Sequence, residues 1–214
     1  MDANNAKFEY LLRQGDNALI LSQQLSQLCG KGPALEEDMA LTNVALDLLG
    51  QTRMWLSYAG ELEGHGRDED RLAYLRWQAA MSERLKRRMS ELQTRVEFLD
   101  TLWYEAKRAG LDPQLVLGLV QVESGFRKYA VSVAGARGYM QVMPFWARLI
   151  GDGDPARLFH MQTNLRFGCV ILRHYLDTER GDLFYALGRY NGSRGRAEYP
   201  DLVTAASRQW AHTA

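Results

Sequence analysis

Apolar side chains recur every three or four positions through most of the chain and nowhere alternate strictly with polar ones, so the pattern predicts an all-α protein. Leu11, Leu12, Ala18, Leu21, Leu25 and Leu28 trace one helical stripe, and CGKGP then supplies a break and a proline near the next start. Leu35, Met39, Val44, Leu48, Trp55 and Tyr58 trace a second stripe, closed by GHGRDED. The pattern predicts two long helices joined by a short turn, and the broad face of the second needs a partner. The segment WQAAMSERLKRRMSELQTRVEFLDTLWYEAKRAG, from Trp77, reads as one charged helix with Val96, Leu99, Leu102, Trp103 and Ala106 inward. Asp112 as N-cap and Pro113 in the first turn start another helix, whose face carries Leu115, Leu119 and Val122 and whose stop is Gly125. TNLRFGCVILRHYLDTERG reads as a further helix with Phe167, Val170, Ile171 and Tyr175 inward.

Composition then narrows the partners. A chain of 214 residues, 46% hydrophobic and 24% charged, is long enough for one core and an appendage. Its net charge is zero, but the first 76 residues hold 7 basic and 12 acidic side chains, leaving 19 and 14 of the 26 of each for the remainder. The basic half suits an anionic polymer, nucleic acid or acidic glycan alike. The Arg and Lys cluster at 84–88 has no interleaved aromatic side chains to stack on bases and reads as a solvated helix face, which argues against nucleic acid. Cys29 and Cys169 form no Cys-x-x-Cys pair, and His160 and His174 stand alone, so neither a metal site nor a disulfide framework is indicated. No cofactor is implied. The longest apolar run, LVLGLV, falls far short of the roughly 18 residues a membrane span needs. The N-terminus has no basic stretch leading into an apolar one, so the chain reads as soluble, without an export signal, and cytoplasmic if made as written.

One carboxylate stands out. Glu123 falls in the last turn of an apolar helix, where the dipole's negative end and the apolar surroundings both disfavour the ionised form. One turn earlier stand Leu119 and Val120, with no Lys or Arg to pair with it. A carboxyl held protonated near neutral pH suits the departure of a glycosidic oxygen, which must be protonated as it leaves. Asp152 and Asp154 lie in a Gly/Pro-rich turn and read as turn formers and caps rather than as a second catalytic acid.

Two resemblances divide the chain. DNALIL, ALEEDMALTNVALDLLGQTR and GRDEDRLAYLR resemble the start of the structural subunit of the phenylacetyl-CoA monooxygenase complex, a ferritin-like helical family. No Glu-x-x-His occurs here, and consecutive Glu36, Glu37 and Asp38 cannot converge on one metal; they read as an acidic first turn. Residues 1–76 therefore read as a partial ferritin-like hairpin, and the chain as a fusion of that hairpin with an unrelated second part. In the second part, Glu123-Ser124, GYMQVMP at 138–144 and RYNGSRG at 189–195 resemble, in order and spacing, the three motifs of the soluble lytic transglycosylases. That resemblance implies a lysozyme-like helical domain over 77–214, with its catalytic core at about 111–203.

The same resemblance implies roles. Glu123 is the single general acid and base, cutting between N-acetylmuramic acid and N-acetylglucosamine while the muramic C6 hydroxyl closes a 1,6-anhydro ring. Ser132 bonds the acetamido group, Gln141 and Met143 line the glycan wall, and Met140 reads as core. Tyr190 orients the acid and keeps it protonated, and Asn191 starts the turn presenting it. Where the family commonly has NAGPG, this chain has NGSRG, with Arg194 in place of proline and a looser turn implied. Arg194 and Arg196 read as solvated loop charges. Asn164 and Gly168 read as architectural. The implied partner is peptidoglycan in the periplasm or envelope. The apolar faces of the first helices also suit self-association, and two other readings stay open: a non-catalytic structural or binding module of a phenylacetyl-CoA monooxygenase-type complex, and a water-using muramidase on the same scaffold.

Overall fold

A computed structural model describes residues 3–32 and 34–211, and among these the regular elements are helices, with isolated β-bridges joining Val131, Arg137 and Val142. The chain divides into two compact units, one formed by residues up to Trp77 and the other by Gln78 onward. None of the described helices is long and apolar enough to cross a membrane.

In the first unit, α1 (Ala3–Leu28) and α2 (Leu35–Glu63) pack as a hairpin. Asp38 closes the turn before α2 by accepting from the Gly32 N–H at 2.9 Å, and Gly64 ends α2 in the left-handed conformation. Leu11, Leu12, Leu56, Ala59 and Leu72 form the core, and the Ser22 hydroxyl donates to the Ala45 carbonyl at 2.7 Å. The stripe of α2 that turns inward is Ala45, Thr52, Leu56, Ala59 and Gly60, not the one the leucine and methionine spacing predicts. Gly15 explains the choice, since a Cβ there would stand 2.9 Å from the Leu56 side chain; the helices meet where their residues are small. Leu21, Leu28, Leu35, Met39, Leu46 and Met54 are consequently left exposed.

The predicted single helix from Trp77 is two. The helix α3 (Glu69–Leu85) begins before residue 77, and α4 (Leu92–Arg108) follows a break at 86–91. Lys86 there pairs with Glu83 at 3.2 Å, and the guanidinium of buried Arg95 fills the gap by donating to the Met89 and Ser90 carbonyls, each at 2.7 Å.

The second unit is built round α5 (Pro113–Ser124), whose Val116, Leu117, Leu119 and Val120 are fully buried. Asp112 caps it, accepting from the Gln114 N–H at 2.9 Å, and Gly125 closes it in the left-handed region. Around it stand α6 (Pro144–Ile150), a short 3-10 helix (Pro155–Phe159), α7 (Met161–Thr178), α8 (Leu183–Asn191) and α9 (Glu198–Gln209). The α5–α9 crossing is close: a Cβ on Gly118 would come 2.5 Å from the Ser207 nitrogen. Gln121 ties the same pair, accepting from the Trp210 indole at 2.9 Å. On α7 the inward face is Leu165, Gly168, Cys169, Ile171, Leu172 and Leu176; Val170, predicted inward, is on the opposite side of the 3.6-residue repeat and exposed. Glu105 of α4, fully buried, links α4 to α7 through Arg108 of its own helix at 2.8 Å and Arg166 at 3.0 Å.

Candidate active site

Glu123 sits at the C-terminal end of α5, anchored from below. Phe126, held at φ 67°, is buried edge-on against Phe98 and Trp210, and Phe98 packs on Tyr139 with ring centres 4.9 Å apart. Ser124, 2% exposed, donates to the Tyr139 carbonyl at 2.7 Å, fastening the end of α5 to the Gly138–Pro144 segment. Ser124 thus fixes the acid's backbone while Glu123 itself faces the partly open side.

Burial pushes the Glu123 carboxyl up to about 7, and one contact pulls the other way: the Tyr199 hydroxyl donates to its Oε1. A donated hydrogen bond favours the carboxylate, so the phenol orients the acid while opposing its protonation; desolvation is the larger effect and keeps a proton available near neutrality. Tyr199, 8% exposed in the first turn of α9, has its own phenol raised far above the ordinary range by burial and by the adjacent Glu123 charge.

Sequence reasoning passes over Tyr199 and gives the orienting role to Tyr190. The Tyr190 hydroxyl instead donates to the Met140 carbonyl at 2.7 Å, and its phenol is raised first by burial and then by the nearby charge on Glu123. The signal that could have found Tyr199 is the sequence AEYPDLV, a helix start with an aromatic residue in its first turn, beyond the third motif.

The other predicted residues fall on the loops beside this pair. Gln141 adopts φ 48°, a conformation costly for a residue with a Cβ, and its amide nitrogen donates to the Ala130 and Gly138 carbonyls at 3.1 and 3.0 Å. Its donors are therefore turned to the backbone, leaving the amide oxygen as the group that can accept. Ser132 is exposed in a turn, where its oxygen accepts from the Ala136 N–H at 3.0 Å and its hydroxyl proton stays free to be donated. Met143 is the half-buried N-cap of α6, and Met140 is fully buried. Asn191 ends α8, exposed, with its amide on the Ser193 hydroxyl at 3.1 Å.

Asn164 organises the middle loop. At 1% exposure it accepts from the Met140 N–H and donates to the Arg137 and Leu158 carbonyls, all at 2.8 Å. Gly138, at φ 77°, and Gly168 leave the room this needs: a Cβ on the first would strike Asn164, and one on the second would strike Met140. Arg194 is an exposed loop charge, but not a free one. Its guanidinium grips Glu179 at 2.7 and 2.9 Å, and Arg189 reaches the same carboxylate, which these bonds hold down at about 2.

Asp152 and Asp154 do not join Glu123. Asp154 caps the 3-10 helix by accepting from the Ala156 N–H at 2.9 Å, and Asp152 pairs with Arg157. Both line a concavity of about 300 Å³ beside α7 that Glu123 does not line. Among the described residues no group of three or more His, Cys, Asp or Glu side chains is placed to hold a metal ion.

Comparison with known proteins also gives two parts, which meet near residue 101 rather than at Arg76. Residues 1–102 match the family described as Phenylacetic acid catabolic protein, a match running past Arg76, and residues 101–208 match the Transglycosylase SLT domain. One of the subunits of 1,2-phenylacetyl-CoA epoxidase from Escherichia coli is 39% identical over 67% of this chain and 57% of its own length. Membrane-bound lytic murein transglycosylase C of Actinobacillus pleuropneumoniae is 40% identical over 36% of this chain and 23% of its own, and a transglycosylase of phage PRD1 is 33% identical over 49% and 38%. The chain thus spans between about a quarter and three-fifths of the relatives it matches. A solved structure, the lytic transglycosylase Slt of Pseudomonas aeruginosa, aligns over 94% of this chain and 35% of its own at 16% identity and a TM-score of 0.43, too low to carry an argument.

Proposed function

The chain belongs to the Transglycosylase SLT domain family through residues 101–208, and from that membership we propose that it is a lytic transglycosylase of peptidoglycan with Glu123 as its single general acid and base. The observation that carries this reading is the placement of Glu123: a carboxyl at the end of the buried helix α5, held by the Tyr199 hydroxyl and pushed up by burial.

Glycosidases that use water, or a carboxylate nucleophile, need a second acid roughly 5–9 Å away. A ring-closing reaction does not. Glu123 gives its proton to the oxygen leaving the anomeric carbon of N-acetylmuramic acid. The C6 hydroxyl of the same sugar then bonds to that carbon and returns its proton to Glu123, so the enzyme ends as it began and no water is consumed. Tyr199 holds the carboxyl in one rotamer through both transfers. Ser132, Gln141, Met143, Tyr190 and Asn191 supply the surrounding wall, with the Gln141 amide oxygen and the Ser132 hydroxyl as the polar groups toward sugar. The substrate places the protein in the cell envelope.

Glu123→Gln keeps shape and hydrogen bonding but removes the transferable proton; the expected outcome is loss of muropeptide release with glycan binding retained. Mass spectrometry of the wild-type products should show fragments one water lighter than hydrolysis products. Reducing ends throughout would assign the chain to the water-using muramidases instead.

A further inference from the structure

The third motif poses a mechanical question. The loop Asn191–Gly195 joins α8 to α9 and so sets where α9 begins, and Tyr199 stands in the first turn of α9. A proline in such a loop would fix its own φ without outside help, and Asn191–Gly195 contains none. Arg194 needs an external tie.

That tie is Glu179. It caps α7, aimed by a sharp turn in which Arg180 takes φ 54° and Gly181 φ 88°. From there its carboxylate, 8% exposed, receives Arg194 at two points and Arg189 of α8 at one. The Arg194 guanidinium also lies 4.6 Å above the Tyr185 ring. Beneath it, the loop presses onto α8 so closely that a Cβ on Gly188 would meet the Arg194 Cα at 2.9 Å, and the Ser193 N–H donates to the Gly188 carbonyl at 2.7 Å. The next residue after Arg189 is Tyr190, fixed on Met140. Both ends of the loop are thus referred to one carboxylate.

We propose that Glu179 is a positioning residue for the Glu123 site: by clasping Arg194 and Arg189 it fixes the Asn191–Gly195 loop and thereby seats Tyr199 against the acid. The geometry is a two-point, charge-assisted grip, in a loop without a proline. The significance of this placement for catalysis rests on the function proposed above, but the placement itself does not, which lets the two be tested apart.

The titratable groups facing Glu123 are Tyr199 from α9 and Tyr190 from α8. Since the Tyr199 bond lowers the Glu123 carboxyl, unseating the phenol raises it. In the full chain, carbon-13 NMR of the Glu123 side-chain carboxyl should report an upward shift in Tyr199→Phe and a shift of the same sign in Glu179→Ala. Combining the two should add nothing to Tyr199→Phe alone. Arg194→Pro placed on Glu179→Ala should return the carboxyl to its wild-type titration, because the ring replaces the clasp. On purified peptidoglycan, Glu179→Ala should lower kcat roughly tenfold, as misplacement of a catalytic group does, and the proline should restore it to within about threefold. Arg194→Lys keeps the charge without the two-point grip and should move the titration in the same direction, which covers the case in which Glu179→Ala does not fold. An unchanged Glu123 titration in Glu179→Ala or Arg194→Lys, full additivity with Tyr199→Phe, or no rescue by proline would overturn the proposal. Absence of cleavage by the wild-type chain would sink the function reading and leave the titration to judge the clasp.

Discussion

At the scale of single residues, a carboxyl raised by burial charges the fold a toll as pH climbs. The sign is set by the folded value, about 7, lying above the ordinary value of 4.5: the folded protein binds the proton more tightly than the unfolded chain does. Whatever stability the protonated acid allows is present in full below 4.5 and is lost as pH rises through about 7. Glu123→Gln, inactive, should therefore be more stable than the wild type at pH 8 by on the order of 2–3 kcal/mol, and equal to it below pH 4. Chemical denaturation at the two pH values measures the difference, and a variant no more stable at pH 8 would show that Glu123 is better solvated than its surroundings indicate. This residue was legible in advance, because a helix-terminal acid among apolar neighbours is a sequence pattern. Tyr199 was not, because it reaches Glu123 from 76 positions away and only tertiary packing brings the two together.

Among the elements, the segment Gly138–Pro144 shows how an irregular loop is made rigid. At almost complete burial, Asn164 bridges the Met140 N–H of this segment to the carbonyls of Arg137, just before it, and Leu158. Asn164→Ala would leave the Met140 N–H and the Leu158 carbonyl without partners, the Arg137 carbonyl keeping the Val142 N–H, and should cost about 3 kcal/mol, read as a fall in Tm. Asn164→Asp keeps the acceptor but turns a buried carboxyl oxygen on two carbonyls, so it should cost at least as much, and parity of either variant with the wild type would exclude the bridging role. Helix starts and stops were legible wherever a local device makes them: Asp112 with Pro113, Gly125, Gly64. The break after Leu85 was not, since its cause is a guanidinium folding back from Arg95, ten positions on. Facing in the hairpin also escaped the pattern, because contact between α1 and α2 is decided by where Gly15, Ala45 and Ala59 permit approach rather than by where the largest apolar side chains recur.

For the whole molecule, the first unit leaves Leu35, Met39, Leu46 and Met54 in solvent, in a segment similar to part of a longer epoxidase protein. Such faces favour self-association. Replacing Met39, Leu46 and Met54 by Glu should lower the sedimentation coefficient to that of a monomer without altering peptidoglycan cleavage, and a wild type already monomeric at high concentration would remove the idea. If catalysis resides in the second unit, a cut that spares it belongs in the Gly64–Asp68 turn rather than at Trp77, since α3 runs unbroken through Trp77. The cysteines offer a way to watch each unit separately. Cys29, half-buried, lies in the first, and Cys169 lies in the second, fully enclosed on α7 with its thiol raised by burial. A thiol that cannot ionise in place reacts with a labelling reagent only after its helix opens. Alkylation of the native chain should accordingly proceed in two phases. The slow one is a clock for breathing of the second unit, obtained without changing a residue.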